Sequence, residues 1–553
     1  MRIYAGDTED DSKGKMHLIN IFDGKKHSSF TERADAIEFL QTLRGHCHIW
    51  FCNLQYDINN IFGTENIHLL EIIYIGSRVI EARLIGTDVR FRDTLNHWKI
   101  SVAEMGKRIG LKKLEAQGTD SKYNDLKYCR RDTRIVYKFV ESMAKKYESI
   151  NAELKATIGA TSLKYFETNF YRHCNFTFIK KKEIEFMLKG YYGGRTEIFF
   201  NHPITGNIQY YDINSLYPFC CQKPMPIVHK KSYRFTKTPD FTKEGIVYAR
   251  VKAPKKIEIP YLPYRSRDGK LLFPLGTFSG HWTYFEIREA KKLGYEIIKI
   301  HKAIEFFRGV GPVMGEFVET LYNKRLEAKK EKDELLSDAY KLIMNNLYGK
   351  FAQKNEKTKL MPYEGKNKLK RGDIIMNNIV LSKTLGDYPR QTNVIWSAYI
   401  TAYGRHEIYE RMVRVVRNHG LLIYCDTDSV IFEHRDNLFT DDNAIGKVKL
   451  EGKFKYAHFR LPKEYKLVSQ DDTKIYKTKG VPKKSQAEFF ENKKVSFERP
   501  YKLREVLRRN LSPKRILKLK PNFWDTIEKQ SSKIYDKRIV FKDGSTKPIT
   551  IGG

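Results

Sequence analysis

The feature that most constrains this chain is a pair of acidic residues between two short apolar runs. Residues 421–424 are apolar and lead to Asp426 and Asp428, and residues 430–432 are apolar again. Two apolar runs with a polar connection predict a β-hairpin that carries the acids at its tip. Because side chains alternate between faces along a strand, both carboxylates should point to one side, with Thr427 facing away. Such like charges require a nearby cation or proton, whereas an isolated Asp-Thr-Asp sequence would be an ordinary turn.

The charge balance predicts a polyanionic partner. The 553 residues include 101 Lys and Arg but only 66 Asp and Glu, which gives a formal net charge of +35. This excess favours binding to nucleic acid. Aromatic residues make up 13% of the chain and offer rings on which bases stack. A basic surface that only keeps the protein soluble is the alternative, and ribosomal or capsid proteins are equally basic, so charge alone names no activity.

The seven cysteines predict neither a disulfide framework nor a zinc site. Their number is odd, and no two of them form a C-x-x-C pair. We therefore expect a reducing compartment. A strand-like segment follows Met1 without an apolar signal core, and no run of about 18 apolar residues occurs. These features predict a soluble intracellular protein, in the host cytoplasm if the enzyme is viral or plasmid-encoded.

Four acids near the start of the chain have the spacing of a two-metal nuclease. Asp7 and Glu9 follow a short strand-like segment two residues apart, which puts both carboxylates on one face. Asp57 lies just beyond a buried-strand pattern. Tyr128 and Asp132 are four residues apart on a predicted helix, so they face the same way. Acids in such positions can hold two divalent ions about 4 Å apart and hydrolyse phosphodiesters.

A second acidic centre is predicted further along the chain. Asp212 ends a strand-like segment from which the chain turns abruptly, so its carboxylate could meet the acids of the hairpin. Two segments with helical periodicity fill residues 314–351, and their short charged connection predicts an antiparallel helix pair. On the second helix Lys341, Asn345 and Tyr348 share one face.

These motifs, in this order, resemble those of the proofreading family B DNA polymerases. The resemblance extends from residue 7 to residue 465. Two positions depart from the family pattern, because Asn346 and Asp10 stand where relatives usually have serine and threonine. The matching segments are Asp7/Glu9, Asn53/Asp57, Tyr128/Asp132, Y-x-G-G at Tyr191 to Gly194, D-x-x-S-L-Y-P at Asp212 to Pro218, K-x-x-x-N-x-x-Y-G at Lys341 to Gly349, Asp426/Asp428, and K-x-Y at Lys463 to Tyr465.

The resemblance implies a role for each residue of the first centre. Asp7, Glu9, Asp57 and Asp132 would bind two metal ions, and Tyr128 would orient the attacking water. The other matches in this region are Asn53, Thr94 and Leu95 for single-stranded DNA and Lys113 for the catalytic lysine.

The resemblance also implies roles in the second centre. Asp212 and Asp428 match the direct metal ligands, and Asp426 matches a supporting acid. Tyr217 matches the steric gate, whose ring excludes the 2′-hydroxyl of a ribonucleotide, and Lys341 would bind the incoming triphosphate. The remaining predicted contacts are Ser215, Leu216, Asn345, Tyr348, Gly349 and either Lys324 or Arg325 for the nucleotide, and Tyr191, Gly193, Gly194, Thr427, Lys463 and Tyr465 for DNA.

The family fold implied here is a multidomain α/β and α+β architecture: an RNase H-like 3′-5′ exonuclease followed by a right-hand polymerase of palm, fingers and thumb. Two further segments, one β-rich and one polar, Lys-rich and turn-like, lie where protein-primed members carry insertions. In those members the first insertion docks the terminal protein and the second encircles the template. The expected boundaries are exonuclease 1–160, linker and first palm part 161–224, first insertion 225–313, fingers 314–351, second insertion 352–392, second palm part 393–480 and basic thumb 481–553.

We therefore expect a DNA-directed DNA polymerase with proofreading, acting as a monomer on primer-template DNA and deoxynucleoside triphosphates. Two Mg²⁺ or Mn²⁺ ions per active site are implied. The insertions favour a protein-primed, strand-displacing enzyme that replicates a viral or plasmid genome with a terminal protein as partner, and no membrane association is expected. The alternatives are an oligonucleotide-primed family B polymerase and, from another class, a DNA-binding or exonuclease protein with an inactive palm.

Overall fold

The computed structural model describes most of residues 2–552. The internal residues outside the description are 12–14, 64, 77, 116–121, 171–178, 229–231, 354–355, 364, 366–368, 370–372, 377–378, 387, 501–523 and 532–533. Much of the predicted basic thumb, from Arg504 to Lys520, is therefore outside the described residues. None of the helices in the described ranges is long and apolar enough to cross a membrane.

The N-terminal unit is built on a mixed sheet. Its elements are β1 Arg2–Asp10, β2 Met16–Phe22, β3 His27–Phe30, α1 Arg33–Thr42, β4 Cys47–Phe51, α2 Leu54–Phe62, β5 Leu70–Ile75, β6 Arg78–Leu84, β7 Val89–Asp93, α3 Val102–Arg108, α4 Lys122–Ser149 and α5 Ile158–Asn169, with 3-10 turns at Ile67–Leu69 and Thr94–Asn96. Strand β4 is buried along its whole length, and β1 and β7 flank it in parallel. A parallel centre of this kind needs helices on both faces, which explains why all five side chains of β4 are buried.

The next segment begins a second sheet and then forms a separate β-rich layer. Its elements are α6 Lys181–Lys189, β8 Thr196–Ile198, β9 Ile204–Ile213, α7 Leu216–Cys221, β10 Met225–Pro226, β11 Tyr233–Thr236, β12 Glu244–Lys252, β13 Tyr264–Arg265, β14 Leu271–Leu272, β15 Leu275–Thr283, α8 Tyr284–Lys292, β16 Glu296–Phe306 and β17 Val310–Gly311. Strands β11, β16, β12 and β15 pair antiparallel in that order. A capping box between Thr283 and Glu286 begins α8 directly at the end of β15.

The predicted helix pair is present in residues 315–351. The elements of this region are α9 Gly315–Lys330, α10 Glu334–Asn346, α11 Tyr348–Phe351, β18 Glu356–Pro362, β19 Ile374–Met376, β20 Ile379–Leu385 and α12 Val394–Arg417. The side chain of Asp333 accepts a hydrogen bond from the Leu336 N–H and so begins α10 soon after α9 ends. Helix α12 is buried along most of its length and forms part of the main core.

The C-terminal region contains the acidic hairpin. Its elements are β21 Leu421–Asp426, β22 Ser429–Glu433, β23 Val448–Leu461, β24 Glu464–Ser469, β25 Lys474–Thr478, α13 Gln486–Asn492, β26 Lys494–Pro500, β27 Trp524–Gln530, β28 Arg538–Val540, β29 Thr546–Pro548 and β30 Thr550–Ile551, with a 3-10 turn at Lys483–Ser485. The predicted hairpin is confirmed, because β21 and β22 pair antiparallel with Asp426 opposite Ser429.

Seven strands form what we call the central sheet, in the order β25-β24-β23-β9-β22-β21-β8. All neighbours in this sheet are antiparallel. Strand β9 lies between β22 and β23, so that Asp212 stands opposite Ser429 on one side and Lys449 on the other. The register therefore brings the end of β9 to the tip of the acidic hairpin.

The polar segment 352–392 contains strands and not only the turns that its composition suggests. Strands β18 and β20 pair with each other, and β18 pairs with β5 of the N-terminal unit. Leu360, Ile379 and Leu381 are buried in the core of that unit. In β18 only Thr358 and Leu360 are buried, and less buried residues alternate with them, so the Lys-rich composition conceals this strand. The result is one ten-stranded sheet shared by two distant parts of the chain.

The end of the predicted thumb packs away from the β26–β27 hairpin. Strand β30 pairs in parallel with β15, and the Leu275 N–H donates to the Ile549 carbonyl at 2.8 Å. The Asn201 N–H likewise donates to the Gly544 carbonyl at 2.7 Å. Residues 534–551, which we call the C-terminal segment, therefore lie against both the central sheet and the β-rich layer.

Candidate functional site

The first group of acids lies in the N-terminal unit. Asp7 and Glu9 are within β1 and not after it as predicted, because that strand continues beyond them. A carboxylate oxygen of each lies within 4.8 Å of the other and of Cys129 Sγ. Asp57, on α2, accepts a hydrogen bond from Thr8 Oγ1 at 2.9 Å. Strand β1 and helices α2 and α4 thus place these acids together.

Burial and mutual repulsion raise the pKa values of the carboxyls in this group. Burial is the main cause that raises the pKa of Asp7, and the charges of Glu9 and Asp132 raise it further. Burial also raises the pKa of Glu9 to about 7. The pKa of Asp57 is raised well above its usual range, first by burial and then by Asp7. A cation bound beside these carboxyls would oppose the shifts, because positive charge favours the ionised form.

Lys113 lies beside this first group of acids. Its ammonium forms an ion pair with Asp132 and lies 4.4 Å from the ring centroid of Tyr128. Oδ1 of Asp132 is buried and has no hydrogen-bond partner in the described part of the chain. A buried carboxylate oxygen without a partner is unfavourable, so this atom fits a bound cation. Tyr128 and Asp132 share one side of α4, as their spacing predicts.

Asp93 connects the two loops that were predicted to contact single-stranded DNA. Its Oδ1 accepts hydrogen bonds from the N–H groups of Asn53 at 3.1 Å and Leu95 at 2.9 Å. Leu95 is partly exposed. Thr94, by contrast, is fully buried, and its contact with DNA stays a prediction.

The unusual Asp10 is directed to helix α2. It accepts a hydrogen bond from Asn60 Nδ2 at 3.0 Å and, after burial, is the main cause of the raised pKa of Tyr56. Asn60 Nδ2 also donates to Thr8 Oγ1 at 2.9 Å. The extra charge therefore belongs to the polar network that supports Asp57.

The second group of acids stands at the tip of the central sheet. Asp212 lies opposite Ser429, and the Ile213 N–H donates to the Asp428 carbonyl at 2.7 Å. These contacts place Asp212 beside Asp428, as predicted. Burial raises the pKa of Asp212 to about 7, with the charges of Asp428 and Glu451 adding to the effect. Burial also raises the pKa of Asp428.

Both carboxylate oxygens of Asp426 have partners. Thr196 Oγ1 donates to Oδ1 at 3.0 Å, and Lys463 Nζ lies 3.2 Å from Oδ2. At the turn, the Thr427 N–H donates to the Arg195 carbonyl at 2.7 Å. The hairpin tip is thus attached to the edge strand β8 by backbone and side chain.

The two residues of the K-x-Y motif have different environments. Lys463 is exposed, and its N–H donates to the Tyr424 hydroxyl at 3.1 Å. Tyr465 is only 8% exposed, with its ring 4.9 Å from that of Phe459. Lys463 is therefore free to reach a ligand by its side chain, whereas Tyr465 mainly anchors β24.

Positive φ angles mark several predicted site residues. Among the described residues, nine other than glycine have a positive φ, and four of these are Asn53, Ser215, Thr427 and Lys463. Such conformations are uncommon and concentrate at functional sites. The other five lie outside the predicted site residues, so positive φ accompanies some of these motifs without identifying them.

Two tyrosine rings form a floor beside the central acids. The ring centroids of Tyr217 and Tyr348 are 4.6 Å apart. The left-handed backbone of Ser215 turns the chain from β9 into α7 and so directs Tyr217 to this place. A Cβ at Gly404 would lie 3.2 Å from the Tyr217 ring, which shows that α12 supports the ring closely. Leu216 is buried, so only its backbone can meet a nucleotide.

Three cations lie together on α9 and α10. The charge of Arg325 is the main cause that lowers the pKa of Lys329, and Lys341 contributes to the same shift. Arg325 is partly buried, and its Nε has no hydrogen-bond partner among the described residues, whereas Lys324 is exposed. Oδ1 of Asn345 is also buried without a partner in the described chain. The structure therefore favours Arg325 over Lys324 as the companion of Lys341.

Arginines that were not selected from the sequence hold the Y-x-G-G segment. Arg405 Nη1 donates to the carbonyls of Tyr192 at 2.8 Å and Gly193 at 3.0 Å. Arg265 Nη2 donates to the Tyr191 carbonyl at 2.9 Å. Arg405 lies on the buried helix α12, and a charged residue within such an apolar stretch is the signal that could have identified it.

Close approach, and not positive φ, requires glycine at position 194. Neither Gly193 nor Gly194 has a positive φ. A Cβ at Gly194 would lie 2.7 Å from Cγ2 of Thr427 at the hairpin tip. At Gly193 and Gly349 a Cβ would meet no protein atom within 4 Å. Gly194 thus allows the Y-x-G-G segment to pack directly against the tip of the acidic hairpin.

Both groups of acids fit divalent cations by their donor chemistry. Carboxylate oxygens are the ligands that Mg²⁺ and Mn²⁺ prefer. Burial raises the pKa values of Asp212 and Glu9, so a cation at either group would favour the ionised carboxylates, and Oδ1 of Asp132 has no hydrogen-bond partner among the described residues. Asp212 and Asp428 in the second group, and Asp7, Glu9, Asp57 and Asp132 in the first, are the residues suited to bind such ions.

Known proteins match this chain in sequence. Residues 99–391, more than half of the chain, match the family of type B DNA polymerases, organellar and viral. The chain is 30% identical over 365 residues to a probable DNA polymerase of Ascobolus immersus, covering 61% of this chain and 29% of that protein. It is 25% identical over 418 residues to the DNA-directed DNA polymerase of Enterobacteria phage PRD1, covering 71% and 68%. The chain spans only 29% to 38% of the length of three fungal relatives.

The fold is similar to that of a solved polymerase. Phi29 DNA polymerase complexed with primer-template DNA and incoming nucleotide substrates superposes with a TM-score of 0.69 at 20% identity, covering 91% of this chain and 96% of that chain. This likeness confirms the expected fold class. Since the family match covers more than half of the chain, the protein belongs to the organellar and viral type B DNA polymerases.

Proposed function

We propose that this chain is a DNA-directed DNA polymerase with a 3′-5′ exonuclease. The observation that carries the polymerase proposal is the placement of Asp212 beside Asp428, next to the ring pair of Tyr217 and Tyr348. Two cation-binding carboxylates beside an aromatic floor suit a primer end and a nucleotide. Family membership supports the same reaction class.

The residues of the central site are proposed to have different roles in nucleotide addition. Asp212 and Asp428 would hold two Mg²⁺ or Mn²⁺ ions, which activate the primer 3′-hydroxyl and neutralise the triphosphate. Asp426 keeps the hairpin tip in place through its own partners. Lys341 and Arg325 supply positive charge to the triphosphate from α10 and α9. Attack on the α-phosphate then releases pyrophosphate.

Tyr217 is proposed to select the sugar. Its ring is fixed by Tyr348 on one side and by α12 at Gly404. A rigid ring cannot move aside for a 2′-hydroxyl, so a ribonucleotide would clash with it. The proposed gate therefore depends on packing, since a loosely held ring would adapt.

The N-terminal unit is proposed to remove nucleotides from a 3′ end. Asp7, Glu9, Asp57 and Asp132 would hold the cations. Lys113 and Tyr128 stand beside Asp132, where an ammonium can bind the scissile phosphate and a phenol can orient water. The proposed contacts of the single strand are Asn53 and Leu95, with Tyr191, Gly193 and Gly194 on the route between the two sites.

We propose protein priming and strand displacement from the two inserted segments. Residues 225–313 supply the β-rich layer as a docking surface for a terminal protein, whose Ser, Thr or Tyr hydroxyl would replace the primer hydroxyl. Strands β18–β20 join the N-terminal sheet and would limit the space around the template. Residues 314–351 are proposed as the fingers and residues 481–553 as the thumb. The proposed protein is an intracellular monomer that acts on primer-template DNA.

Primer extension on a single-stranded DNA circle tests this function. One annealed oligonucleotide, Mg²⁺ and all four deoxynucleotides are supplied, and product length is followed. Products longer than one circle would support synthesis with strand displacement. Synthesis that stops at the primer would retain the polymerase and remove the displacement proposal, and no extension would favour the polymerase-inactive alternative.

Paired variants assign the two activities to the two sites. Asp428→Ala should reduce synthesis at least 1,000-fold, of the order seen when essential catalytic groups are removed, and leave degradation of a labelled 3′ end within about twofold. Asp7→Ala should do the reverse. If either variant lost both activities while keeping its melting temperature, the two-site proposal would be wrong.

A further inference from the structure

The C-terminal segment covers the edge of the central sheet. The Tyr535 hydroxyl accepts a hydrogen bond from the Ile198 N–H at 2.9 Å, and Thr546 Oγ1 donates to the Phe199 carbonyl at 2.9 Å. These groups lie on or directly after β8, which without this cover would be an open sheet edge. Strand β8 is the immediate neighbour of the acidic hairpin. The position of β8 therefore affects the tip of the acidic hairpin.

Buried charges fix the segment against β8. Glu197 is fully buried and forms an ion pair with Arg195 at 2.5 Å, and Arg538 Nη1 lies 3.9 Å from its other oxygen. Arg538 also donates to Thr546 Oγ1 at 2.8 Å. A buried carboxylate between two guanidinium groups tolerates little displacement, because an uncompensated buried charge is costly. The segment is therefore held in one register beside β8.

Two hydrogen bonds, both made by Thr196, link Lys537 of this segment to Asp426 of the central site. Lys537 Nζ donates to the Thr196 carbonyl at 3.0 Å. The hydroxyl of the same Thr196 donates to Asp426 Oδ1 at 3.0 Å. Lys537 is partly buried, and Asp426 is among the acids whose charges act on it. No part of the proposed reaction uses Lys537 directly, so these contacts suggest an indirect role.

We propose that Lys537 is a positioning residue of the polymerase site, holding Thr196 so that its hydroxyl orients Asp426. This inference rests on the proposed function of the central acids. Lys463, the partner of the other Asp426 oxygen, is exposed and is proposed to bind the primer end. When Lys463 turns to DNA, the Thr196 hydroxyl at 3.0 Å remains as the closer donor to Asp426 Oδ1, with the Thr427 hydroxyl at 3.4 Å. Lys537 then determines where that donor stands.

The first test is the variant Lys537→Met, which keeps the length of the side chain and removes its charge and donors. We expect kcat for single-nucleotide incorporation to fall about tenfold, with KM for the nucleotide and the exonuclease rate within twofold. Lys537→Arg retains a donor and should stay within threefold of the parent. Lys542→Met, an exposed lysine of the same segment, is the matched control and should behave like the parent.

A double-mutant cycle tests whether Lys537 acts through Thr196. Thr196→Val should lower kcat by a similar factor, whereas Thr196→Ser, which keeps the hydroxyl, should not. The double variant Lys537→Met/Thr196→Val should be no slower than the slower single variant, because both changes remove the same support. Effects that multiply would overturn the proposal, as would an unchanged kcat in Lys537→Met.

Hydrogen exchange provides a readout that does not depend on catalysis. In the absence of divalent ions, amides of residues 421–433 should exchange about tenfold faster in Lys537→Met and not in Lys542→Met. If Lys537→Met fails to fold, the test is the comparison of kcat between Thr196→Val and Thr196→Ser. Equal kcat values in these two variants would refute the inference. A parent chain that makes no DNA would refute the proposed function itself, while a parent that synthesises DNA as fast as Lys537→Met would refute only the role of Lys537.

Discussion

Lys463 and Asp426 form an ion pair at the tip of the central sheet, with Nζ 3.2 Å from Oδ2. The lysine side chain is 46% exposed and the aspartate 19%. An ion pair this open to water contributes less than about 1 kcal/mol to stability. Lys463 can therefore exchange its carboxylate partner for a DNA phosphate at little cost, and this fits a residue that contacts the primer only during synthesis.

Replacement of Lys463 by methionine should separate binding from stability. We expect about tenfold weaker binding of primer-template DNA, because a phosphate contact is lost, and a melting temperature within about 2 °C of the parent. Fluorescence anisotropy at several salt concentrations measures both the affinity and its salt dependence. Lys474→Met, an exposed lysine of β25, is the control. Equal losses in the two variants would indicate a general charge effect.

Replacement of Tyr217 by valine should admit ribonucleotides. Removal of the ring opens the space that it occupies beside Tyr348, and we expect the preference for deoxynucleotides to fall at least 100-fold, which corresponds to about 2.7 kcal/mol. Ratios of kcat/KM for a deoxynucleotide and its ribonucleotide measure the change. Tyr348→Phe keeps the supporting ring and should retain most of the selectivity. An unchanged preference in Tyr217→Val would assign the gate elsewhere.

The raised pKa of Asp212 makes the cation requirement dependent on pH. Because this pKa is about 7, Asp212 gains a proton as pH falls from 8 to 6, and the proton competes with a bound cation. Displacement of one such proton should raise the Mg²⁺ concentration for half-maximal synthesis about tenfold over that interval. Magnesium titrations of primer extension at several pH values measure this dependence. A constant requirement would mean that Asp212 does not bind the ion.

The raised pKa of Asp212 also predicts how the free energy of unfolding depends on pH when no metal is bound. The folded pKa of Asp212 lies above its unfolded value, so its contribution to stability is complete below about pH 4 and is lost as pH rises through 7. Asp212→Asn should therefore stabilise the EDTA-treated protein at pH 8 by about 1 kcal/mol, after allowance for solvent screening, with a smaller gain at lower pH. Thermal melts across this pH range test the sign, and Mg²⁺ should raise the melting temperature of the parent most at pH 8.

Leu360 tests the connection between β18 and the N-terminal unit. Its side chain is fully buried in the core of that unit. Leu360→Ala should destabilise the unit by about 2 to 4 kcal/mol through the cavity it leaves, and the exonuclease should inactivate at a lower temperature than synthesis. Ile375→Ala removes an exposed side chain of β19, which β20 separates from β18 in the same sheet, and should change little. If both variants melted alike, β18 would not support the unit.

The local pattern was sufficient for much of the fold and of both sites. Two apolar runs joined by a polar connection predict the hairpin that carries Asp426 and Asp428, and helical spacing predicts the shared side of Tyr128 and Asp132. The helix pair in residues 315–351 also follows from periodicity. Each of these features depends on residues close together in the chain, where backbone geometry alone relates the side chains.

Other features depend on contacts between distant segments. The strands of residues 352–392 are stabilised by the core of the N-terminal unit, so their own composition does not reveal them. Thr94 was selected by its place in a motif, but the packing of β7 and the adjacent turn buries it. The choice between Lys324 and Arg325 depends on which side of α9 faces α10, which no short motif specifies.

The residues proposed to carry the chemistry could be chosen from the sequence, because acids, lysines and tyrosines at fixed spacings have few other uses in such an order. The contacts that support these residues follow from the tertiary structure. Thr196, Arg405 and Lys537 have ordinary sequence surroundings and become important because strand pairing and chain return place them beside a motif. The physical reason is that hydrogen bonds and ion pairs act over a few ångströms, and proximity between distant residues arises only on folding.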